Sequence, residues 1–538
     1  MKKLSLLLSA AACAAVIGCA TEEEDTVPRK VGARAVLPRV SGQTQWGPCR
    51  RIPKHPEEVV ADVQCGAPVR ECPRRITSHK DANQLLSGCS TQAIEFLADV
   101  KGASAEVQSD LAAAYYVRAQ KARSAIDLLY ALRAADAAVA ANDNLAAAHF
   151  NRALAQEAFG LDEEAIASLM RVQRLERDPQ WAGEALRRRN ALVNRLRNAA
   201  WRQWPRIEKQ LRAAREVGEV RALIDPYPYA AQMFAETVLL REWAVDDSRQ
   251  ALDLTRLIGR ALERRNRDGY LVDVVAAIDA AKGTALDDLK KGHASFAEGV
   301  YLDETAEVVR AQERYREAVN HFRSAKSPGM HHAQARVKDY AGELPYPVLE
   351  IVRRLKAAYT NVEGSQYAQA AEDYEEIAEV CRRIGQPERA LSAETRRVGQ
   401  LMMLNQTDLA LAIALPVLRS MDSVPSAVER TAILSDPALL ISSLEFPDVA
   451  RRLQDMHVAS LQAELAQSAK DLRRTVVITR SLARAVRARG RDHAKAGDLA
   501  RARRDLQEAR SLMPEGDLAD RTTSAILQMQ WLHVLGNA

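Results

Sequence analysis

The stretch AIDLLYALRAADAAVAANDNLAAAHFNRALAQEAFGLDEEAIASLMRVQRLERDP, residues 125–179, decides how this chain folds. Ala131-Leu132, Ala135 and Ala138 return 34 residues later as Ala165-Ile166, Leu169 and Val172. The spacing places each set on one helix face, where small residues let a neighbouring helix come close and the larger ones fill the groove between. A further helix precedes each set, Leu111 to Ala119 and Ala146 to Glu157. Phe159-Gly160 reads as the turn inside the second unit, and Asp178-Pro179 as its end. Asp162-Glu163-Glu164 opens a helix, where negative charge complements the helix's positive end and needs no enzymatic purpose. The first unit departs from the pattern through Gln120 to Tyr130.

A 34-residue helix–turn–helix period with small residues at the crossing resembles the tetratricopeptide repeat. The same spacing returns farther along the chain. Ala318-Val319, Phe322 and Ala325 precede Pro328, and Ala370, Tyr374 and Ile377 follow. Ala410, Ala414 and Val417 give another set, and Ala502, Leu506 and Ala509 follow the turn Ala496-Gly497-Asp498. The fold class expected is all-α, a solenoid of hairpins that bury one another's apolar faces. Residues 91–190 read as tetratricopeptide-like repeats, 191–345 as an irregular helical region and 346–538 as a C-terminal helical repeat region. Asp225-Pro226-Tyr227-Pro228 and Gly342-Glu343-Leu344-Pro345-Tyr346-Pro347 should interrupt the helices. Trp201, Trp204, Tyr227, Tyr229, Phe234 and Trp243 read mainly as core residues.

The N-terminus carries a different signal. Lys2-Lys3, an apolar run from Leu4 to Ile17 and the exit Val16-Ile17-Gly18-Cys19 read as a secretory leader too short to span a bilayer. Its last four residues resemble the lipobox of bacterial lipoproteins. That resemblance implies a signal peptide over 1–18, removal of it, and acylation of Cys19, for instance by palmitate. Ala20 then favours an outer-membrane destination in the cell envelope, with the side of the membrane left open. Residues 19–45 read as a lipid-anchored flexible stalk. Residues 46–90 hold Cys49, Cys65, Cys72 and Cys89 among several prolines and read as a small disulfide-linked cap, with three pairings open. Cys381 lies on a helical pattern and reads as a buried free thiol.

The 76 basic and 71 acidic residues nearly cancel, leaving a formal charge of +5. The arginine clusters have no interleaved stacking aromatics, so they read as solvated helix faces and no nucleic-acid partner is expected. No His-Glu-x-x-His, Gly-x-Ser-x-Gly or phosphate-cradling glycine loop occurs. His331-His332, after Gly329-Met330, reads as a surface loop. Neither a metal, a cofactor nor a catalytic residue is assigned.

Leu111 to Ala119, Phe150 to Glu157 and Asp178 to Ala182 together resemble the repeat-bearing front half of bacterial CHAT-domain proteins. In that family a caspase-like protease with a histidine–cysteine dyad often follows the repeats. The likeness is most specific over 108–190, and no stretch here matches the protease half. The function expected is that of a non-enzymatic, membrane-tethered scaffold or adaptor, holding a protein or peptide partner in the cell envelope on its repeat surface. The alternatives are a regulatory partner of a separate caspase-like protease and a hydrolase with an unrecognised site.

Overall fold

A computed structural model describes residues 49–53, 61–65, 89–122, 124–337, 340, 342, 344–468 and 471–512. A two-stranded antiparallel ladder, β1 (Cys49–Pro53) and β2 (Ala61–Cys65), precedes the helices. The first array comprises α1 (Ser90–Ala98), α2 (Ala105–Ala122), α3 (Ile126–Ala141), α4 (Ala146–Ala158), α5 (Asp162–Leu175), α6 (Pro179–Arg197) and α7 (Ala200–Ala213). Shorter and longer pieces alternate in the middle: α8 (Val217–Ile224), α9 (Pro228–Phe234), a π-helical turn over Ala235–Leu239, α10 (Leu240–Asp246), α11 (Arg249–Asn266) and α12 (Tyr270–Ala280). Then come α13 (Thr284–Glu304), α14 (Val308–Ser324), α15 (Gly329–Arg336), α16 (Pro347–Glu363) and α17 (Tyr367–Arg383). The chain continues through α18 (Pro387–Met403), α19 (Thr407–Ser420), α20 (Ala427–Ser443), α21 (Pro447–Gln467), α22 (Leu472–Lys495) and α23 (Leu499–Ser511). Most consecutive helices pack as neighbours, the pattern of a tetratricopeptide-like helical-hairpin solenoid.

One turn geometry recurs throughout. The residue after a helix's C-cap takes a left-handed backbone at Gly160, Ala306, Lys326, Ser365, Gly385, Asn405, Glu445 and Gly497. The next amide then donates back across the helix end: Leu161 to the Gln156 carbonyl at 2.9 Å, Gln386 to Cys381 at 2.7 Å and Asp498 to His493 at 2.9 Å. This is the Schellman closure, which satisfies carbonyls that the helix end leaves open and reverses the chain in few residues. Five of the eight left-handed residues are not glycines, so packing of the flanking helices overrides the local penalty there.

The C-terminal half has a period that the apolar triplets alone do not display. Helices begin at Pro347, Tyr367, Pro387, Thr407, Ala427 and Pro447, one every 20 residues. Its hairpin is therefore longer than the 34-residue unit of the first array. Prolines occupy the first helical position at three of these six starts, where a missing N–H costs nothing.

The small residues sit where the helices cross. Ala131, Ala135, Ala138, Ala165, Leu169 and Val172 are buried in the first array, and Ala318 and Phe322 in α14. Phe322 lies over Gly292 of α13, where an added methyl would stand 2.6 Å from its ring. Ala502 and Ala509 are buried in α23, while Ala325 and Leu506 are half-buried.

The last repeats return to the first. One apolar cluster joins Leu129, Leu132, Phe159 and Leu161 to Leu411, Leu418, Ile433, Phe446 and Leu453. Arg452 of α21 reaches Asp136 of α3 at 2.8 Å and also pairs with Glu164 of α5. Arg133 donates to the Glu445 carbonyl at 2.7 Å and lies over the Phe446 ring at 3.9 Å. The array thus closes across some 300 residues of chain.

The disulfide-linked cap is corrected. Among the described residues no cysteine pair stands at disulfide distance. Cys49 and Cys65 are register partners in the backbone ladder. Cys89 is buried at the entry to α1 and is engaged, Cys381 is a buried free thiol, and Cys72 lies outside the described residues. Cys19, with the stretches read as a signal peptide (1–18) and a stalk (19–45), also lies outside them.

The closure makes a test at two turns. Gly160 has φ 72°, and a Cβ there would lie 3.1 Å from the Leu418 carbonyl oxygen of α19. Gly497 has φ 81° with nothing within 4 Å of its Cβ position. Gly497→Ala should cost about 1–2 kcal/mol for the left-handed backbone alone. Gly160→Ala should cost distinctly more in urea unfolding, because α19 must also give way. Equal costs would contradict the contact between turn and helix.

Candidate interaction site

The middle helices turn polar groups toward a shared interior. Pro387 starts α18 and places Glu388 and Arg389 in its first turn. Glu388 is buried, and its Oε2 accepts the Tyr229 N–H at 2.9 Å, capping the start of α9 with negative charge. Arg389 donates to the Val348 carbonyl at 2.7 Å and lies over the Tyr229 ring at 4.2 Å. Ser426 caps α20 by accepting the Glu429 N–H at 3.3 Å, which sets Glu429 and Arg430 at its start. Glu304 ends α13 and Arg336 ends α15.

Arg430 belongs to the scaffold of this interior. Fully buried, it donates to the carbonyls of Val424 at 3.1 Å and Pro425 at 2.7 Å, and pairs with Glu464 of α21. Arg474 of α22 shares Glu464 at 3.2 Å. Helix α22 also crosses to α13, with Arg473 paired to Glu298 at 2.5 Å and stacked over Tyr301 at 4.7 Å.

Tyr229, Glu304, Arg336 and Glu429 behave differently. They are hemmed in by protein yet keep part of their surface open. Burial pushes Glu429 up to about 7 against the pull of Arg389, Arg336 and Arg396. Burial likewise raises Glu304 to about 7 despite Arg336. Glu388 rises to about 8, through burial and then the nearby Glu429 carboxyl. Burial also opposes the charge on Arg336, but Tyr315, Tyr229, Asp303 and Glu236 more than offset it. The wall is amphoteric, with carboxyls that change charge near neutrality.

A second polar cluster lies beneath this wall. The π-helical turn puts Glu236 against His332 of α15, both buried and hydrogen-bonded through His332 Nδ1. Gln232 Nε2 donates to the other Glu236 oxygen at 2.9 Å. Burial would raise Glu236, but the contact with His332 dominates and holds its carboxyl below the usual range. Phe296 and Tyr270 pack on the His332 ring at 4.8 and 5.8 Å. The expectation of a surface loop at His331-His332 is therefore corrected: both lie in a helix, because Ser327-Pro328-Gly329 turns the chain into α15.

The sequence-derived packing residues hold helices together and do not line the interior. Of the groups that do, the sequence named only Tyr229, as a core residue; it is half-buried. One signal was available: Glu388-Arg389 and Glu429-Arg430 repeat a Glu-Arg pair just inside two helix starts, amid otherwise apolar helical faces. Among the described residues no group of three His, Cys, Asp or Glu is placed to hold a metal ion. Burial raises the Cys381 thiol to about 11. No described helix is long and apolar enough to cross a membrane.

These features define a tetratricopeptide-like helical-repeat protein. No family model matches the chain, and no curated protein does. Among solved structures it is similar to the tetratricopeptide domain of P58(IPK), at 14% identity over 76% of this chain and 96% of that one, with a TM-score of 0.22. It is also similar to yeast Tom70, at 13% identity over 84% and 95% of the two chains, with a TM-score of 0.27. Likenesses this distant add nothing on function.

The buried pair can be tested directly. Burial lowers the pKa of His332, so it meets Glu236 as an imidazole hydrogen-bond partner; His332→Leu removes that partner from the buried carboxylate and should cost about 3–5 kcal/mol in urea unfolding. Glu236→Gln keeps an acceptor for His332 and should cost clearly less. Equal losses would contradict a charge-based role for the pair.

Proposed function

We propose that this chain is an interaction scaffold that takes a segment of a partner protein against its inner wall, held at the envelope membrane by a lipid on Cys19. The observation that carries the reading is the set Tyr229, Glu304, Arg336 and Glu429. Residues from four separate helices converge there and stay partly open inside a body otherwise packed by alanine and leucine. A hairpin array supplies such a surface because each unit offers its neighbour one face and leaves another for a ligand. Binding would come from a few anchoring contacts within a polar rim, with no bond made or broken. The leader ending in Gly18-Cys19 supports the anchor, and the stretch to about residue 45 would give reach.

Two experiments test the two halves. A photo-crosslinking residue at Tyr229 should trap an envelope protein in living cells, whereas one at the outward-facing Tyr359 should not. Equal trapping at both positions, or none at Tyr229, would count against the inner wall. Cys19→Ala should abolish lipid incorporation and release the chain from the membrane fraction; unchanged retention would sink the anchor.

A further inference from the structure

Positive charge is concentrated on two consecutive helices. Together α6 and α7 carry nine basic residues against two acidic ones, a net +7 where the whole chain carries +5. Much of the charge on α6 is paired within the fold: Arg188 meets Glu157 at 2.6 Å, and Arg195 meets Asp162 of α5. Helix α7 differs. Arg202, Arg206 and Lys209 are spaced by four and then three residues, so they form one stripe along a single side of the helix. All three are exposed, and none meets a carboxylate among the described residues. Arg202 lies over the Trp201 ring at 4.7 Å. Trp201, Trp204, Ile207 and Leu211 bury the rest of the helix. Its one acid, Glu208, sits off the stripe and faces Arg474 of α22 at 3.6 Å.

That ion pair sets the start of α22 against the flank of α7. Leu472 stands there, 78% exposed, the most exposed large apolar side chain among the described residues. Three aligned cations without counter-charge attract an anionic surface. A nucleic acid would call for stacking aromatics, and the Trp201 and Trp204 rings are buried. An acidic peptide would answer the charge but leave Leu472 in water. A bilayer with anionic headgroups answers both, because the headgroups meet the cations and the acyl boundary takes the leucine.

We propose that Arg202, Arg206 and Lys209, with Leu472 at their flank, rest on an anionic lipid surface. The inference goes beyond the scaffold reading and does not depend on acylation of Cys19. A few charges and one leucine bind a bilayer reversibly, so this face orients the body on the membrane and does not hold the chain there by itself.

The test places dansylalanine, a genetically encoded fluorophore that reports local polarity, at Ala213 of the full-length chain. Ala213 is exposed and in line with the stripe. Phosphatidylcholine vesicles containing phosphatidylglycerol should shift its emission to the blue, and phosphatidylcholine alone should not. Raising salt from about 0.05 M to about 0.5 M should reverse the shift. Arg202→Gln, Arg206→Gln and Lys209→Gln together should raise the lipid concentration at half-maximal shift about ten-fold or more. Leu472→Gln should raise it about three-fold or more. Lys282→Gln, Lys291→Gln and Lys326→Gln, exposed elsewhere, should together change it less than about two-fold. An equal shift with neutral vesicles, a shift that survives the triple substitution in the stripe, or one indifferent to Leu472→Gln would overturn the proposal. An equal shift with soluble polyglutamate would overturn it in favour of an acidic protein partner. The replaced side chains all face water, so the variants should melt as the natural chain does. Were one to misfold, the lipid and salt dependence of the natural chain would still decide. Acylation of Cys19 and crosslinking at Tyr229 have their own readouts, so failure of this inference leaves the scaffold reading standing, and the reverse.

Discussion

A helical hairpin in this chain cannot bury its own apolar face, and everything else follows from that constraint. Ala135 and Ala138 allow one neighbour to approach, and Phe322 over Gly292 achieves the same close contact with a ring on a bare backbone. The two terminal faces of such an array would ordinarily need polar caps. Here the faces of α3–α5 and α19–α21, each near one end of the array, cover each other through Phe159, Leu418 and Phe446, with Arg452 bridging to Asp136 and Glu164 at the edge. Closure enforces an interior, and an interior changes the electrostatics of whatever points into it.

Those electrostatics separate two kinds of buried charge. Arg430 with Glu464, and Glu236 with His332, have their partners in place; the first ties the consecutive helices α20 and α21, the second elements 96 residues apart. Breaking either would strand a charge, which is costly even where the intact pair adds little. By contrast, one buried oxygen of Glu388 and the buried Nε of Arg336 have no hydrogen-bond partner.

The helical class and the first array were legible because alanine spacing depends only on local helix geometry. The offset between Ala131 and Ala165 shows directly in the residues. The 20-residue beat from Pro347 to Pro447 was also present, in prolines and turn residues, but the apolar triplets drew attention away from it. Five left-handed turn residues are ordinary ones, such as Ala306 and Glu445, whose conformation comes from tertiary packing and leaves no local trace. The burial of His332 was hidden for a related reason: its partner Glu236 lies 96 residues away on a π-helical turn. Likewise nothing near Gly160 names Leu418. The register of Cys49 with Cys65 depends on strand pairing, which the cysteine spacing does not reveal.

The central claim is that the last repeats close on the first around a polar interior. Genetically encoded nitroxide labels at Ala167 of α5 and Ala459 of α21, both exposed, would report that closure by electron–electron distance measurement in the full-length chain. A single short, narrow distance distribution is expected. A long or broad distribution in the folded protein would mean an open array, and would contradict the enclosed interior on which the functional reading depends.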